Sequence, residues 1–120
     1  MAVIEVITTG AFEEWFSALA DEAAASVIRV VDLLEHRGVA LGFPYTSDIK
    51  GTSKIRELRV KSKGKQLRVF YAFDPLRQAV LLLGGDKTGD DRFYATFVPR
   101  AEVLLAEYLE SLVDGEEDGP

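Results

Sequence analysis

The stretch KIRELRVKSKGKQLRVFYAFDPLRQAVLLLGGDK, Lys54 to Lys87, decides how this chain folds. Apolar and polar residues alternate in three runs separated by turn formers, which is the pattern of three consecutive antiparallel strands. In the first run Ile55, Leu58 and Val60 interleave with Arg56, Glu57, Arg59 and Lys61. In the second, Leu67, Val69, Tyr71 and Phe73 share one face while Arg68, Phe70 and Ala72 share the other. The expectation is a sheet with one apolar face and one face that holds guanidinium groups. Ser62-Lys63-Gly64-Lys65 and Asp74-Pro75-Leu76-Arg77 supply the hairpin turns, with Pro75 at the second position of a type I turn. Ala79 to Leu83 is continuously apolar, which predicts a strand covered on both faces and places it at the centre of the sheet.

On the N-terminal side, Val3 to Thr8 suits a first strand. Thr9 stands as the N-cap of a helix whose stripe is Phe12, Trp15, Phe16 and Leu19, and Trp15 in such a stripe reads as core. Asp21 can cap a second helix with Ala24, Val27, Ile28, Val31 and Leu34 on its apolar side, ended by Gly38. His36, the single histidine, lies where the helix dipole favours a cation, so a capping or surface role is expected. Val39 to Ser53, with Gly42, Pro44 and Gly51, reads as a connecting loop. On the C-terminal side, apolar residues recur with helical spacing from Tyr94 through Phe97, Val98, Ala101, Leu104, Leu105 and Tyr108 to Leu112. Pro99 interrupts that series and predicts a kink or two helical pieces. The acidic segment 113–120, VDGEEDGP, has no apolar face and is expected to be disordered. The fold class is therefore α+β: a single domain over 1–112, with an N-terminal strand and helical hairpin packed on a small, mostly antiparallel sheet and a C-terminal helix.

A length of 120 residues suits one two-layer domain. No run approaches the roughly 18 apolar residues of a membrane-spanning helix, so no membrane association is expected. The N-terminal residues lack the basic start and long apolar region of a signal peptide, and there is no cysteine, which together suggest a cytoplasmic protein. The net charge of −6 conceals a segregation: Lys50 to Arg100 holds twelve Lys or Arg against five Asp or Glu, and the remainder two against fifteen. The basic part is thus a candidate anion surface inside an acidic chain.

Other chemistries fit poorly. Gly85-Asp86-Lys87-Thr88 lacks the first glycine of a phosphate loop, and no glycine precedes its lysine. Asp86, Asp90 and Asp91 lack the alternation of an EF-hand. One histidine without cysteine gives no transition-metal set, and no G-x-S-x-G accompanies it. Neither a metal nor another cofactor is expected. What remains is Arg56, Arg59, Arg68 and Lys87, with Tyr71 and Tyr94, a set suited to phosphate. Arg56 and Arg68 could share a face of the hairpin. Arg59, three residues from Arg56, should point the other way unless a bulge intervenes.

Taken in order, strand, two helices, three strands and helix, with ELR at Glu57 to Arg59, RVFY at Arg68 to Tyr71 and a GGDKTGD loop from Gly84 to Asp90, the chain resembles the HigB-like branch of the RelE/ParE toxin superfamily. The resemblance spans about Val3 to Leu112. It implies the toxin of a type II toxin–antitoxin pair, a ribosome-dependent endonuclease that cuts messenger RNA without a metal by attack of the ribose 2′-OH on the adjacent phosphate. The implied partners are a HigA-like helix-turn-helix antitoxin, the ribosome and its messenger RNA, with operator DNA reached only through the antitoxin. By position, Arg68 would clamp phosphate, Lys87 would supply a cation and Tyr94 an aromatic near the last helix. Arg56, Arg59, Lys63 and Lys65 would contact RNA. The RelE branch has lysines where this chain has Ile55 and Glu57, and the histidines used by some HigB toxins have no counterpart, so no proton acceptor is named. Lys87 or a deprotonated Tyr94 would need a lowered pKa, which nearby arginines would favour. The other implied role is a non-catalytic one, as a ParE-like inhibitor of a partner protein or a degenerate antitoxin-binding module.

Overall fold

A computed structural model describes residues 3–117. The elements are β1 (Val6–Thr8), α1 (Gly10–Ser17), α2 (Asp21–Arg37), a short 3-10 turn (Gly38–Ala40), β2 (Thr46–Asp48), β3 (Arg56–Ser62), β4 (Lys65–Phe73), β5 (Ala79–Asp86) and α3 (Phe93–Glu117). The strands form one sheet of order β1-β5-β4-β3-β2, in which β1 runs parallel to β5 and every other pair is antiparallel. This is the expected α+β arrangement.

The expected helical hairpin folds from local signals. The Thr9 hydroxyl accepts from the Phe12 N–H at 3.1 Å, which satisfies one of the free donors at the start of α1. Asp21 is not a cap; it is the first residue of α2, after Ala20, where its charge still suits the helix dipole. Gly38, with φ of +55°, ends α2. Phe12, Val27, Val30 and Leu34 then pack on Leu58, Val60, Leu67, Val69 and Tyr71, with Trp15 and Phe16 alongside.

The opposite face of the sheet is equally buried. Phe70, Ala72, Val80, Leu82 and Leu83 meet Phe93, Ala101 and Leu105 of α3. At about 1.5–3 kcal/mol per fully buried large apolar side chain, each face supplies a substantial part of the stability. The expectation of one apolar and one cationic face is therefore corrected: α3 covers most of the face that Arg68 shares with Phe70. The helix runs through Pro99 as one element and reaches Glu117, inside the segment expected to lack structure; residues 118–120 lie outside the described residues. Among the described residues no helix is long and apolar enough to cross a membrane.

Three more expectations are corrected here. The central strand is β4, because β1 adds beyond β5 on one side and β2 adds beyond β3 on the other. Residues Thr46 to Asp48, expected in a loop, form β2 against Arg56 to Leu58. Gly84 and Gly85 also belong to β5, not to the loop after it. A register shift at Phe70/Tyr71 leaves Leu82 as the extra residue of a bulge, after which Gly84 faces Val69 and Gly85 faces Arg68. A Cβ at Gly84 would sit 2.2 Å from the Trp15 ring, and one at Gly85 would sit 2.6 Å from Phe97. The two glycines let aromatic rings lie directly on both faces of one strand.

The β4–β5 turn is tied to α3 through Asp74, which is buried. Its Oδ1 accepts from the N–H groups of Leu76 at 2.9 Å and Gln78 at 2.8 Å, and its Oδ2 accepts from Gln78 Nε2 and the Tyr108 hydroxyl, both at 2.7 Å. Burial pushes the Asp74 carboxyl up, but these donors outweigh it and hold the group below 3.8. Burial and the bond to Asp74 push Tyr108 up to about 12.

A depressed carboxyl adds stability that is present above its unfolded value and fades as pH falls through its folded one; a raised phenol adds stability that fades as pH rises through its folded one. Wild-type stability in urea should accordingly drop below pH 3.8 and again between pH 10.0 and about 12. Tyr108→Phe should cost about 1–2 kcal/mol at neutral pH. It should also shrink the alkaline limb, while Asp74→Asn shrinks the acid one.

Candidate active site

The β3–β4 register sorts the arginines. Arg59 is opposite Arg68, Glu57 is opposite Phe70, and Arg56 is opposite Tyr71, with no break in β3. Alternation therefore puts Glu57, Arg59 and Arg68 on the α3 side and Arg56 on the other. Arg56 pairs with Asp48 and donates from Nε to the Tyr71 hydroxyl at 3.4 Å. It is held away from Arg68, and Tyr71 is core.

Glu57 is the hub, and it was not among the residues expected at the site. Only 4% of it is exposed, yet both carboxylate oxygens are engaged. Oε1 accepts from the Tyr94 hydroxyl at 2.7 Å and lies 3.5 Å from Arg68 Nε; Oε2 accepts from Ser47 Oγ at 2.7 Å and lies 3.8 Å from Arg59 Nη1. Arg68 is 3% exposed and donates from Nη1 to the Leu67 carbonyl at 3.0 Å. Its Nε is within ion-pair distance of Glu57 but makes no hydrogen bond. A buried N–H left in that state retains strong demand for an acceptor.

Tyr94, at the start of α3, is half-buried. Desolvation first, and then the bond to Glu57, push its phenol above 10.0, with Arg68 pulling more weakly the other way. The expected lowering by arginines is thus reversed, and Tyr94 keeps its proton at neutral pH and acts as a donor. Lys87 Nζ lies 6.0 Å from the centre of the Tyr94 ring. The loop carrying Lys87 is anchored by its N–H to the Gln66 carbonyl at 2.8 Å and by the Gln66 N–H to Thr88 Oγ1 at 2.8 Å. Asp86 before it is held below 3.8, first by Thr88 and also by the charge of Lys65.

Arg59, Arg68 and Tyr94 thus gather around Glu57, with Lys87 on the ring of Tyr94. Lys63 and Lys65 stand at the tip of the β3–β4 hairpin, where Lys63 Nζ lies 2.6 Å from Glu22 Oε2 of α2. The tip is a two-residue turn with positive φ at Lys63 and Gly64. From the cluster a groove of about 910 Å³ opens between α2, the Phe43–Tyr45 segment and the ends of β3 and β4. Arg59, Lys61 and Arg68 line it, with Arg29 on the α2 wall. Such a site offers a phosphate two guanidinium groups, with a carboxylate and a protonated phenol beside them. Among the described residues no three His, Asp or Glu side chains group as metal ligands.

Removing Glu57 would leave a buried guanidinium unpaired. Glu57→Ala should cost about 3 kcal/mol of stability. Adding Arg68→Ala should return part of that loss, which a double-mutant cycle of urea midpoints would read.

The family model described as "Phage derived protein Gp49-like (DUF891)" matches residues 14–106, a span that contains every residue of the cluster. The chain is 39% identical over 107 residues to "Putative toxin HigB3" of Mycobacterium tuberculosis, covering 88% of this chain and 94% of that one. It is 34% identical over 104 residues to "Putative toxin HigB2" of the same organism, covering 83% of this chain and 52% of that one, so it spans about half of the second relative.

Proposed function

The chain belongs to the Gp49-like family and is a HigB-like member of the RelE/ParE toxin superfamily, and from that premise we propose that it is a toxin that cuts messenger RNA on the ribosome. The observation that carries this reading is the pair of arginines, Arg59 and Arg68, held by one carboxylate and both lining the cation-rich groove.

In the proposed reaction the scissile phosphate binds Arg59 and Arg68. The ribose 2′-oxygen attacks the adjacent phosphorus as Glu57 takes its proton. The bond from phosphorus to the 5′-oxygen breaks, leaving a 2′,3′-cyclic phosphate and a 5′-hydroxyl. Tyr94, which holds its proton, donates to the departing 5′-oxygen, and Lys87 beside it offsets the charge that develops on the phosphorane. Glu57 is the only carboxylate that reaches both arginines among the described residues, which is why it takes the proton here rather than Lys87 or Tyr94. The proposal includes a HigA-like helix-turn-helix antitoxin that neutralises the chain, contact with operator DNA only through it, and a cytoplasmic site of action. Lys63, Lys65 and the flanking Arg56 are proposed to touch RNA on the ribosome.

Inducing the chain without an antitoxin should arrest growth, and primer extension should map new 5′ ends within translated messages. Arg68→Ala should lower cleavage by about 100-fold or more and relieve the arrest. Harmless strong induction of the wild type would defeat the toxin reading. Intact transcripts with damaged DNA would instead favour the non-catalytic inhibitor.

A further inference from the structure

We propose that Phe43 and Tyr45 form a nucleobase-stacking site for single-stranded RNA beside the phosphate position at Arg59 and Arg68. The inference deepens the endonuclease reading and rests on it for the kind of nucleic acid that arrives.

Phe43 is 77% exposed and Tyr45 is 38% exposed, and each lines the groove. Two aromatic rings presented to water a residue apart call for a partner with a flat face. The segment is held in this pose: Gly42 O accepts from the N–H groups of Tyr45 at 3.1 Å and Thr46 at 3.3 Å, and the Tyr45 carbonyl accepts from Arg59 N–H at 2.8 Å. The backbone that carries the rings is therefore tied to β3 through Tyr45.

Arg59 joins the two parts of the site. Its Cζ lies 5.4 Å from the centre of the Phe43 ring while its Nη1 faces Glu57. A base stacked on Phe43 would have its own phosphate beside that guanidinium. The groove volume, about 910 Å³, falls in the roughly 300–1,000 Å³ range of small-ligand sites. Arg29, Arg59, Lys61 and Arg68 border it against one acidic residue, Asp32, in a chain whose net charge is −6. An apolar peptide there would desolvate Arg29 and Lys61 with no acid of its own to pair them. A polyanion with π-faces satisfies the cations and the rings together, which is the chemistry of single-stranded RNA.

The test uses the full chain with two readouts: cleavage of messenger RNA on programmed ribosomes, and low-salt binding of a fluorescein-labelled 2′-O-methyl oligoribonucleotide that cannot be cut. Phe43→Ala should weaken oligonucleotide binding and lower kcat/KM by about tenfold, within the range for loss of one stacked base. Phe43→Trp should retain both and Phe43→Leu should not. Because Phe43 is exposed, the circular dichroism spectrum and urea midpoint of each variant should match wild type. If Phe43→Leu performs as well as Phe43→Trp, or Phe43→Ala matches wild type in both assays, the stacking site is wrong while the endonuclease reading stands. If wild type cuts nothing but still binds the oligonucleotide in a Phe43-dependent way, the endonuclease reading falls and the stacking site survives. If wild type neither cuts nor binds, both fall. Loss of antitoxin capture by Phe43→Ala with RNA binding unchanged would make the groove a protein-docking surface and overturn the inference.

Discussion

Burial of β4 on both faces is the constraint from which the rest of the molecule follows. Residues Leu67 to Ala72 are all withdrawn from water, and Arg68 is one of them. A guanidinium in that position loses its hydration and must be matched by charge from the same face. Glu57 provides the match only because β3 pairs with β4 in the register that sets Arg59 opposite Arg68. Tyr94 and Ser47, which fill the remaining acceptor sites of Glu57, come from α3 and β2 respectively. The cluster therefore ties together four elements, and it depends on the packing that also buries it.

A buried ion pair of this kind is weak evidence for stability, since well-packed apolar residues of similar volume often serve as well or better. Here the geometry is also incomplete, because Arg68 Nε approaches Glu57 without bonding to it. A residue kept for stability would be expected to complete its hydrogen bonds. An arginine kept for an incoming anion has reason to hold one back, and this argument links the energetics of the sheet to its proposed chemistry.

Local patterns carried much of the fold. The alternation from Ile55 to Phe73 located β3 and β4, the stripes of Phe12 to Leu19 and Ala24 to Leu34 located α1 and α2, and Thr9 marked a helix start. What the patterns left hidden was set by tertiary pairing. The continuous apolar run Ala79 to Leu83 speaks of burial on two sides, but strand order depends on where β1 and β2 attach. Thr46 to Asp48 is polar, short and next to glycine and proline, and becomes a strand only because β3 presents a free edge. Gly84 and Gly85 resemble a loop to any local rule, although their purpose is to admit the rings of Trp15, Phe93 and Phe97. The site was half legible for the same reason. Arg59, Arg68, Lys87 and Tyr94 were visible as residue types suited to phosphate, whereas Glu57 looked like one more acid in a mixed-charge strand. Its parity with Arg59 was the available signal, and it acquires meaning only with the register to Arg68.

The segregation of charge along the chain bears on how an acidic protein could act on RNA. The cations near the cluster are not free: Arg59 and Arg68 face Glu57, Arg56 is paired with Asp48, and Lys63 with Glu22. The exposed pairs, Arg56–Asp48 and Lys63–Glu22, contribute little to stability, but all of these contacts lower the positive potential that a passing polyanion meets. On the proposed reading, an RNA strand must displace Glu57 from two guanidinium groups before its phosphate can settle, and free RNA arriving by diffusion brings little to offset that exchange. A strand already ordered by the ribosome brings its binding energy from elsewhere, so dependence on the ribosome would follow from the internal neutralisation of the site as much as from its shape.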